Sequence, residues 1–291
     1  MKNRISIFIF FVLFGLNSYA QTDDVIHEKK IYKVINGSEL EVDMFYIAQT
    51  KQNGMNPAIA FFHGGGWAFG APSEFFGACK RYAKKGFITF SFDYRLSINE
   101  DGTYPHPDIT PVECTKDARS AIRWIKENAK VLGIDPDKII ASGQSAGGQL
   151  ALSTAIIEDV NEISDNIAIS ARPNALMIYS GTPNTIEAWA EMLLDDKREQ
   201  IWTISPYHNL KPGLPPGIHF HGTADHTVPY WTVANFSGKT RDLGNYYDLV
   251  PIEGSDHYLG QGIEKYANYF TEEILEQSDE FLIKFGFLNA E

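Results

Sequence analysis

Residues 139–152 read Ile-Ile-Ala-Ser-Gly-Gln-Ser-Ala-Gly-Gly-Gln-Leu-Ala-Leu. A short apolar run typical of a buried strand leads into the pattern Gly-x-Ser-x-Gly, and helix-compatible residues follow. This order predicts a sharp strand-to-helix turn that presents the hydroxyl of Ser145 above the edge of a sheet. Gly143 and Gly147 suit such a turn because they allow a sharp bend and a close approach of strand and helix. The alternative interpretation is a plain glycine-rich turn, since Gly and Ser are common in loops.

Apolar runs alternate with helical patterns on both sides of this turn. Besides the run before Ser145, strands are predicted at 30–34, 40–46, 57–62, 87–92, 175–179, 217–221 and 246–250. Helices are predicted at 73–85, 110–132, 186–200, from 228 onward, and from about 262 to 285. The run 40–46 alternates apolar with acidic residues, which is typical of a half-solvated antiparallel strand. Together these segments predict an α/β fold with one doubly wound, mostly parallel sheet and helices on both faces.

Composition and charge narrow the possible partners. The chain of 291 residues is 44% hydrophobic and 21% charged, which is typical of a globular protein and not of a disordered one. Its formal net charge of −12 argues against nucleic acid or an anionic membrane as a partner, because phosphate binding needs clustered Lys and Arg. We therefore expect no nucleic-acid partner. The pattern does not indicate an oligomeric state.

The first 20 residues have the pattern of a secretory signal peptide. Lys2 and Arg4 precede an apolar run at 5–16, and a small-residue cleavage site ends at Ala20. The alternative is an uncleaved anchor, although the apolar run is short for a bilayer span. We predict cleavage before Gln21, a secreted or periplasmic location, no integral membrane segment in the mature chain, and a single domain over 21–291.

Two cysteines, Cys79 and Cys114, are present. In an oxidising compartment they can form a disulfide. Two buried free thiols are the equally acceptable alternative, because two cysteines do not make a disulfide framework.

Three consecutive glycines follow the buried run at 57–62. The segment His63-Gly64-Gly65-Gly66-Trp67 predicts a loop whose backbone N–H groups converge on an anion, since glycine allows such backbone shapes and a close approach. A flexible linker is the alternative, and it fits poorly with the flanking Phe62 and Trp67.

A serine hydroxyl needs a base to act as a nucleophile at neutral pH, usually a histidine that is held by a carboxylate. Asp225 and His257 each follow a predicted strand, in the order Ser, Asp, His. At the carboxyl ends of strands they would face Ser145. Taken singly, Asp225 reads as a helix cap and His257 as a surface histidine. Asp256 is an alternative acid, although a neighbour in sequence rarely reaches the ring from the required side.

These motifs occur together as an ordered set between residues 63 and 257. The set comprises His63–Trp67, Asp93-Tyr94-Arg95-Leu96, the segment 133–139, Gly143–Gly147, His221–Asp225 and Gly254–His257. In this set the chain resembles α/β-hydrolases of the esterase and lipase group with an HGGG-type oxyanion motif, namely the hormone-sensitive-lipase-like and feruloyl-esterase-like enzymes. Ser97-Ile98-Asn99-Glu100 departs from the Ala-Pro-Glu usual in lipase-like members, and the short N-terminal segment moves the likeness toward compact secreted esterases.

The resemblance implies a role for each matching residue. Ser145 would be the nucleophile, His257 the base and Asp225 the orienting acid. The oxyanion hole would be formed by the N–H groups of Gly65, Gly66 and Ala146. No metal or organic cofactor is implied.

The substrate expectation is a small-molecule or polysaccharide-borne ester, with acetyl or feruloyl groups on hemicellulose as the leading candidates. Trp67 and Tyr94 are candidate substrate-binding residues, and Trp189, Trp202 and Trp231 are further aromatics for which core packing is the alternative. A general short-chain carboxylesterase or lipase-like enzyme is the second expectation. A non-catalytic binding module on the same fold is the third.

Overall fold

The computed structural model describes residues 24–259 and 271–290. The strands of this part of the chain are β1 (Val25–Ile35), β2 (Ser38–Ile47), β3 (Asn56–Phe62), β4 (Ile88–Phe92), β5 (Ile134–Gln144), β6 (Ala175–Tyr179), β7 (Gly217–Gly222) and β8 (Tyr247–Ile252). The α-helices are α1 (Ala48–Asn53), α2 (Phe76–Lys84), α3 (Pro111–Glu127), α4 (Ala129–Leu132), α5 (Ala146–Ile156), α6 (Ala188–Leu194), α7 (Tyr230–Asp242) and α8 (Glu272–Lys284). Short 3-10 turns lie at Pro72–Phe75, Asp195–Trp202 and Pro206–Asn209.

All eight strands form one sheet in the order β1-β2-β4-β3-β5-β6-β7-β8. β1 and β2 pair antiparallel, as do β2 and β4, and the remaining neighbours pair parallel. The predicted doubly wound, mostly parallel sheet is therefore confirmed.

Each face of the sheet carries its own hydrophobic core. Along β3, Ala58, Ala60 and Phe62 point into one core, which α3 and α5 cover. Ile59 and Phe61 point into the other, which α2 and α8 cover. Side chains of a strand alternate between the two faces, so the unbroken apolar run becomes a strand that is buried on both sides.

The two cysteines lie in different cores. Cys79 is buried with α2 on one face and Cys114 with α3 on the other, and both are free thiols. Burial raises the pKa of both thiols. The sheet separates them, so the alternative of two buried thiols is the one that the structure adopts.

The hairpin formed by β1 and β2 is more buried than expected. Asn36 and Gly37 make its turn with positive φ angles of 50° and 82°, as a two-residue hairpin turn requires. β2 is nonetheless buried from Val42 onward, and Asp43 is only 4% exposed. The prediction of a half-solvated strand is wrong because α2 packs against the face of β2 that carries Asp43 and Phe45. His27 stands 2.6 Å from the carboxylate of Asp43 and pairs with it.

The helix predicted at 110–132 begins as expected. The Thr110 hydroxyl accepts the Val112 N–H at 3.2 Å, and the Glu113 carboxylate accepts the Thr110 N–H at 3.0 Å. Asn128 interrupts the helix between α3 and α4, and Gly133 then ends it in the left-handed conformation with φ 75°.

Two other predicted helices have boundaries inside the predicted ranges. The segment 186–200 is divided by Asp195, whose φ of 47° breaks the helix after α6. Helix α8 begins at Glu272, because Thr271 has an extended backbone and caps it. The rest of the predicted stretch before Thr271 lies outside the described residues, as does the predicted signal peptide at 1–20. Across residues 24–259 and 271–290, no helix combines the length and apolar character needed to cross a membrane.

Candidate active site

Ser145 occupies the sharp turn between β5 and α5. Its φ of 54° and ψ of −121° lie outside the usual regions for a residue with a side chain. The helix can approach β3 because Gly147 lacks a side chain: a Cβ there would lie 2.0 Å from the Phe62 carbonyl oxygen. The strand-to-helix turn predicted from residues 139–152 is thus present, with the Ser145 hydroxyl at the carboxyl edge of the sheet.

His257 and Asp225 meet Ser145 at this edge. Asp225 follows β7 and His257 follows β8, and their side chains reach over the end of β5. The Ser145 Oγ lies 2.9 Å from His257 Nε2, and His257 Nδ1 lies 2.8 Å from Asp225 Oδ2. Because the carboxylate accepts the Nδ1 proton, Nε2 of the neutral ring is the acceptor for the serine hydroxyl. The three residues form one continuous hydrogen-bonded chain.

Asp225 is buried and fully engaged by its surroundings. Its Oδ1 accepts the backbone N–H groups of Thr227 and Val228, both at 2.8 Å. Its Oδ2 accepts from His257 and also lies 3.1 Å from Nε2 of His221. Burial alone would raise the pKa of Asp225, but the nearby imidazole N–H of His221, which bonds the Val228 carbonyl at 2.8 Å, and the hydrogen bond from His257 outweigh burial and hold the pKa well below its usual range. Asp225 is therefore a carboxylate at neutral pH.

Asp256 does not take the place of Asp225. Its carboxylate accepts the backbone N–H groups of His226 at 3.1 Å and of His257 at 2.7 Å. These bonds fix the loop that carries His257 but do not involve its ring. Asp225 is thus the acid that the geometry joins to His257.

The glycine loop after β3 reaches the same edge, and its carbonyl groups are held from outside. The Tyr94 hydroxyl donates to the His63 carbonyl at 2.9 Å, and Trp189 Nε1 donates to the Gly66 carbonyl at 2.8 Å. The Gly65 carbonyl accepts the Phe69 N–H at 2.9 Å. Gly65 has φ 108°, and a Cβ there would lie 2.1 Å from the Phe69 carbonyl oxygen, so only glycine fits.

The N–H groups predicted to bind an oxyanion belong to Gly65, Gly66 and Ala146. Within residues 24–259 and 271–290, none of the three donates a backbone hydrogen bond outside the regular helices and strands. Ala146 is the first residue of α5, where backbone N–H groups have no partner within the helix. The three groups are therefore available to a ligand beside Ser145.

Ser145 lines two cavities. The first, here called the Trp231 cavity, has a volume of about 300 Å³. Its walls are largely apolar and comprise Gly66, Trp67, Ser145, Ala146, Thr182, Asn184, Ile186, Glu187, Trp189, Thr227, Val228, Pro229, Trp231 and Thr232.

The second, here called the His257 cavity, has a volume of about 450 Å³. Its walls are Gly65, Gly66, Phe69, Gly70, Glu74, Gln144, Ser145, Trp189, Thr227, His257 and Tyr258. Gly66, Ser145, Trp189 and Thr227 line both cavities.

The two predicted substrate-binding aromatics differ in position. Trp67 lines the Trp231 cavity, although it is only 2% exposed and its indole donates to Gln149 at 2.9 Å. Tyr94 lines neither cavity: it is buried behind the glycine loop and stacks on His63 with ring centroids 4.2 Å apart. The expectation that Tyr94 contacts the substrate is wrong. Its hydroxyl and one face of its ring are engaged by the glycine loop, so Tyr94 supports that loop. Trp189 and Trp231 line cavities, whereas Trp202 lines neither.

The sequence patterns indicate no role for three residues of this site, namely Gln144, His221 and Glu74, and a different role for a fourth, Trp189. Gln144 places its amide nitrogen 3.2 Å from His257 Nε2. His221 shares Asp225 with His257, and Glu74 forms part of the wall of the His257 cavity. Trp189 was considered only as a possible subsite aromatic, and its bond to Gly66 spans 123 positions of sequence. Gln144 and His221 lie inside the motifs Gly143–Gly147 and His221–Asp225, which is a weak indication that they belong to the site. No local sequence pattern indicates a role for Glu74.

A metal site is absent from the described part of the chain, in that its His, Cys, Asp and Glu side chains form no group of three or more that could hold an ion.

Solved structures identify the class of protein. The chain superposes on Thermogutta terrifontis esterase 2 phosphorylated by paraoxon with a TM-score of 0.80 and 35% identity, covering 91% of this chain and 96% of that one. The butyrate-bound form of the same esterase gives a TM-score of 0.81 at 35% identity, with coverage of 91% and 96%. Fold and site thus define an α/β-hydrolase of the esterase and lipase type, as the sequence motifs indicated. Residues 42–239 match the family described as BD-FAE, and the chain belongs to that family.

Curated relatives are more distant. The chain is 27% identical to the probable isoprenylcysteine alpha-carbonyl methylesterase ICMEL1 of Arabidopsis thaliana, over 70% of this chain and 46% of the relative. It is 29% identical to carboxylesterase NlhH of Mycobacterium tuberculosis, over 58% of this chain and 56% of the relative. The chain thus spans about half the length of the curated relatives it matches.

Proposed function

We propose that this protein is a serine esterase that hydrolyses carboxylic esters through an acyl-enzyme. The observation that carries the proposal is the hydrogen-bonded chain from Ser145 through His257 to Asp225, with separations of 2.9 Å and 2.8 Å. Such a chain lets a weak nucleophile lose its proton as it attacks. The esterase relatives support the same reaction class.

In the first half of the reaction, the Ser145 oxygen attacks the ester carbonyl carbon while His257 Nε2 takes its proton. The Asp225 carboxylate keeps the Nδ1 proton in place and stabilises the imidazolium. The carbonyl oxygen becomes an oxyanion, and the N–H groups of Gly65, Gly66 and Ala146 receive it. Loss of one such donor typically raises the barrier by about 3–4 kcal/mol.

In the second half, the tetrahedral intermediate collapses and the bond to the ester oxygen breaks. The leaving alcohol takes the proton from His257 Nε2, and the acyl group stays on Ser145. A water molecule then gives a proton to His257 and attacks the acyl carbon. Collapse of this second intermediate returns the proton to Ser145 and releases the acid.

This proton transfer assigns the two cavities to the two parts of the ester. The leaving oxygen must lie near His257 Nε2, so the alcohol occupies the His257 cavity. The acyl group then extends into the Trp231 cavity, which Ala146 and Gly66 border. Each cavity thus determines a different part of the specificity.

The Trp231 cavity favours an acyl group larger than acetyl. Its volume of about 300 Å³ is at the lower end of the range for ligand pockets. An acetyl group would leave most of it empty. A feruloyl ring would lie between Trp67, Trp189 and Trp231, and aromatic pairs are favourable beyond the area that they bury. Of the two expected acyl groups, feruloyl is the better supported. We propose that the substrate is a feruloyl or acetyl ester carried by plant polysaccharide, and that the enzyme acts on it outside the cytoplasm.

A general short-chain carboxylesterase is the second candidate. It is supported by the solved relative with bound butyrate and by the carboxylesterase NlhH. A butyryl chain would fill part of the Trp231 cavity without needing aromatic walls. Methyl esters also belong to this candidate, because several curated relatives are named as probable methylesterases.

The reaction class is tested by Ser145→Ala assayed on 4-nitrophenyl acetate. We expect loss of turnover with an unchanged unfolding midpoint, and wild-type rates in this variant would contradict the serine mechanism. The acyl class is tested with methyl ferulate, aliphatic methyl esters such as methyl butyrate, acetylated xylan and 4-nitrophenyl esters of rising chain length. A higher kcat/KM for methyl ferulate than for aliphatic methyl esters supports a polysaccharide feruloyl esterase, and the reverse supports the general carboxylesterase.

A further inference from the structure

Glu74 places a carboxyl group in the wall of the His257 cavity. It lies in the 3-10 turn Pro72–Phe75 that follows the glycine loop. The carboxyl accepts the Ala71 N–H at 3.3 Å and also bonds the N–H of Gly64. A carboxylate offers about four acceptor positions. These two bonds fix the group in place and leave acceptor capacity for a ligand.

The charge balance of the cavity selects against acidic ligands. Of the described residues that line the His257 cavity, none is Lys or Arg, and the same is true of the Trp231 cavity. A ligand in the His257 cavity therefore meets a negative group with no lysine or arginine beside it. Hydrogen-bond donors and cations are favoured there, and carboxylate-bearing alcohols are not.

The other walls distinguish hydroxyl groups from cations. Gln144 and Thr227 add hydrogen-bonding groups to the same cavity. A hydroxyl group both donates and accepts, whereas an ammonium group can only donate. A hydroxylated ligand thus uses more of the wall than a cation does.

Exposed rings provide an apolar surface beside these polar groups. Phe69 is 48% exposed and Tyr258 is 57% exposed. Phe69 stacks on Trp189 with centroids 6.2 Å apart, and Tyr258 meets His257 edge-on at 5.7 Å. Rings arranged this way present separate flat surfaces and do not enclose a cation. A sugar has an apolar face for such a surface and hydroxyl groups for the carboxylate.

We propose that Glu74 is a specificity-determining residue that accepts hydrogen bonds from the hydroxyl groups of a sugar on the alcohol side of the ester. This inference rests on the proposed function, because the assignment of the His257 cavity to the alcohol follows from the proton transfer by His257. Hydrogen bonds from hydroxyl groups to a carboxylate are short and about twice as strong as neutral ones.

The test compares two acetate esters that differ in the alcohol: 4-nitrophenyl acetate and an acetylated xylo-oligosaccharide. In Glu74→Gln, which keeps an acceptor for the Gly64 N–H, we expect kcat/KM for the oligosaccharide to fall about tenfold or more, mainly through KM. We expect kcat/KM for 4-nitrophenyl acetate to change less than about twofold, since this alcohol has no hydroxyl group to bind. Glu74→Asp keeps the charge but shortens the side chain. Its kcat/KM for the oligosaccharide should lie between the values of wild type and Glu74→Gln.

Glu199→Gln is the matched control. Glu199 is exposed and lines neither cavity, so this change should leave both activities as in wild type. Equal losses on both esters in Glu74→Gln would contradict the inference and leave Glu74 only as a support of the loop. If the wild-type enzyme were more active on acetylcholine than on the oligosaccharide, the inference would be contradicted, because the His257 cavity would then bind a cation and not a sugar. A wild-type enzyme inactive on 4-nitrophenyl acetate would instead contradict the proposed function itself.

Discussion

His63 shows how one buried side chain supports the site without touching a substrate. Its Nδ1 donates to the Gly64 carbonyl at 2.8 Å, and its ring stacks on Tyr94. Its Nε2 is buried with no hydrogen-bond partner among the described residues. Burial lowers the pKa of His63 to about 4, so the ring is neutral wherever the protein is folded at moderate pH. A charge at the base of the glycine loop is thereby avoided.

This pKa predicts a pH-dependent stability. An unfolded histidine has a pKa of about 6.5, so between that pH and the folded value of about 4 the unfolded chain binds more protons. Stability therefore falls as pH drops through this window, by about 1.4 kcal/mol per pH unit. His63→Phe keeps the stacking and removes the titration. The variant's deficit is the amount by which its free energy of unfolding lies below that of wild type. We expect this deficit to be about 2 kcal/mol smaller at pH 5 than at pH 7.

Chemical denaturation at both pH values measures this difference. Phe92→Leu, a change at a buried residue that has no titratable group, is the control, and its deficit in the free energy of unfolding should be the same at both pH values. A His63→Phe deficit that stays constant from pH 7 to pH 5 would contradict the buried neutral histidine.

At the scale of elements, four loops at the carboxyl ends of β3, β5, β7 and β8 build the site. Helix α6 joins them from outside the sheet, because Trp189 in its first turn donates to the Gly66 carbonyl. Tyr104, from the loop before α3, packs against the Trp189 ring with centroids 5.1 Å apart. The helix thus holds the glycine loop and contributes Trp189 to the walls of both cavities.

Trp189→Phe is expected to weaken catalysis without unfolding the protein. The variant loses the hydrogen bond to Gly66 but keeps an aromatic ring in the walls of both cavities. Because removal of an oxyanion donor itself lowers kcat by about 10²–10³, we expect loosening of one donor to lower kcat by about tenfold. The assay is kcat and KM on 4-nitrophenyl acetate. Trp202→Phe, at a residue that lines neither cavity, should match wild type, and an unchanged kcat in Trp189→Phe would contradict the role of α6.

Local sequence patterns predicted the framework of this site well. The segment 139–152, the Thr110–Glu113 cap and the loops carrying Asp225 and His257 depend on neighbouring residues and strand order. The bond from Trp189 to Gly66 and the sharing of Asp225 by His221 depend on three-dimensional packing. Tyr94 was misassigned for the same reason, since an aromatic next to a strand end can face the cavity or lie behind it. The break at Asp195 depends on a positive φ at a residue other than glycine, which its neighbours do not indicate.

At the scale of the whole molecule, a buried ionic cluster ties distant segments together. Asp117 on α3 is fully buried and accepts from Lys33 of β1 at 2.5 Å. It also accepts from Arg95, after β4, through two guanidinium nitrogens at 2.8 Å each. Both basic side chains further contact Glu162, at 3.1 Å and 2.8 Å. The cluster joins the edge hairpin to a helix on one face of the sheet.

Asp117→Ala is expected to destabilise the fold by about 3–5 kcal/mol, because it leaves two cations buried without their main partner. The cluster lines neither cavity, so turnover of the folded fraction at low temperature should be near wild type. Thermal unfolding together with activity measured well below the midpoint tests both statements. A loss of less than about 1 kcal/mol would mean that the cluster is solvated and not a structural tie.

The central claim is that Ser145 is the nucleophile, and covalent labelling tests it most directly. Paraoxon, which phosphorylates the related Thermogutta terrifontis esterase 2, would be incubated with the folded protein before intact-mass and peptide analysis. We expect one diethylphosphoryl group per chain, located on Ser145, with loss of 4-nitrophenyl acetate hydrolysis in proportion. Ser145→Ala should remain unlabelled and inactive. A protein that hydrolyses 4-nitrophenyl acetate but carries its label on another residue, or a Ser145→Ala variant that keeps its activity, would show that Ser145 is not the nucleophile.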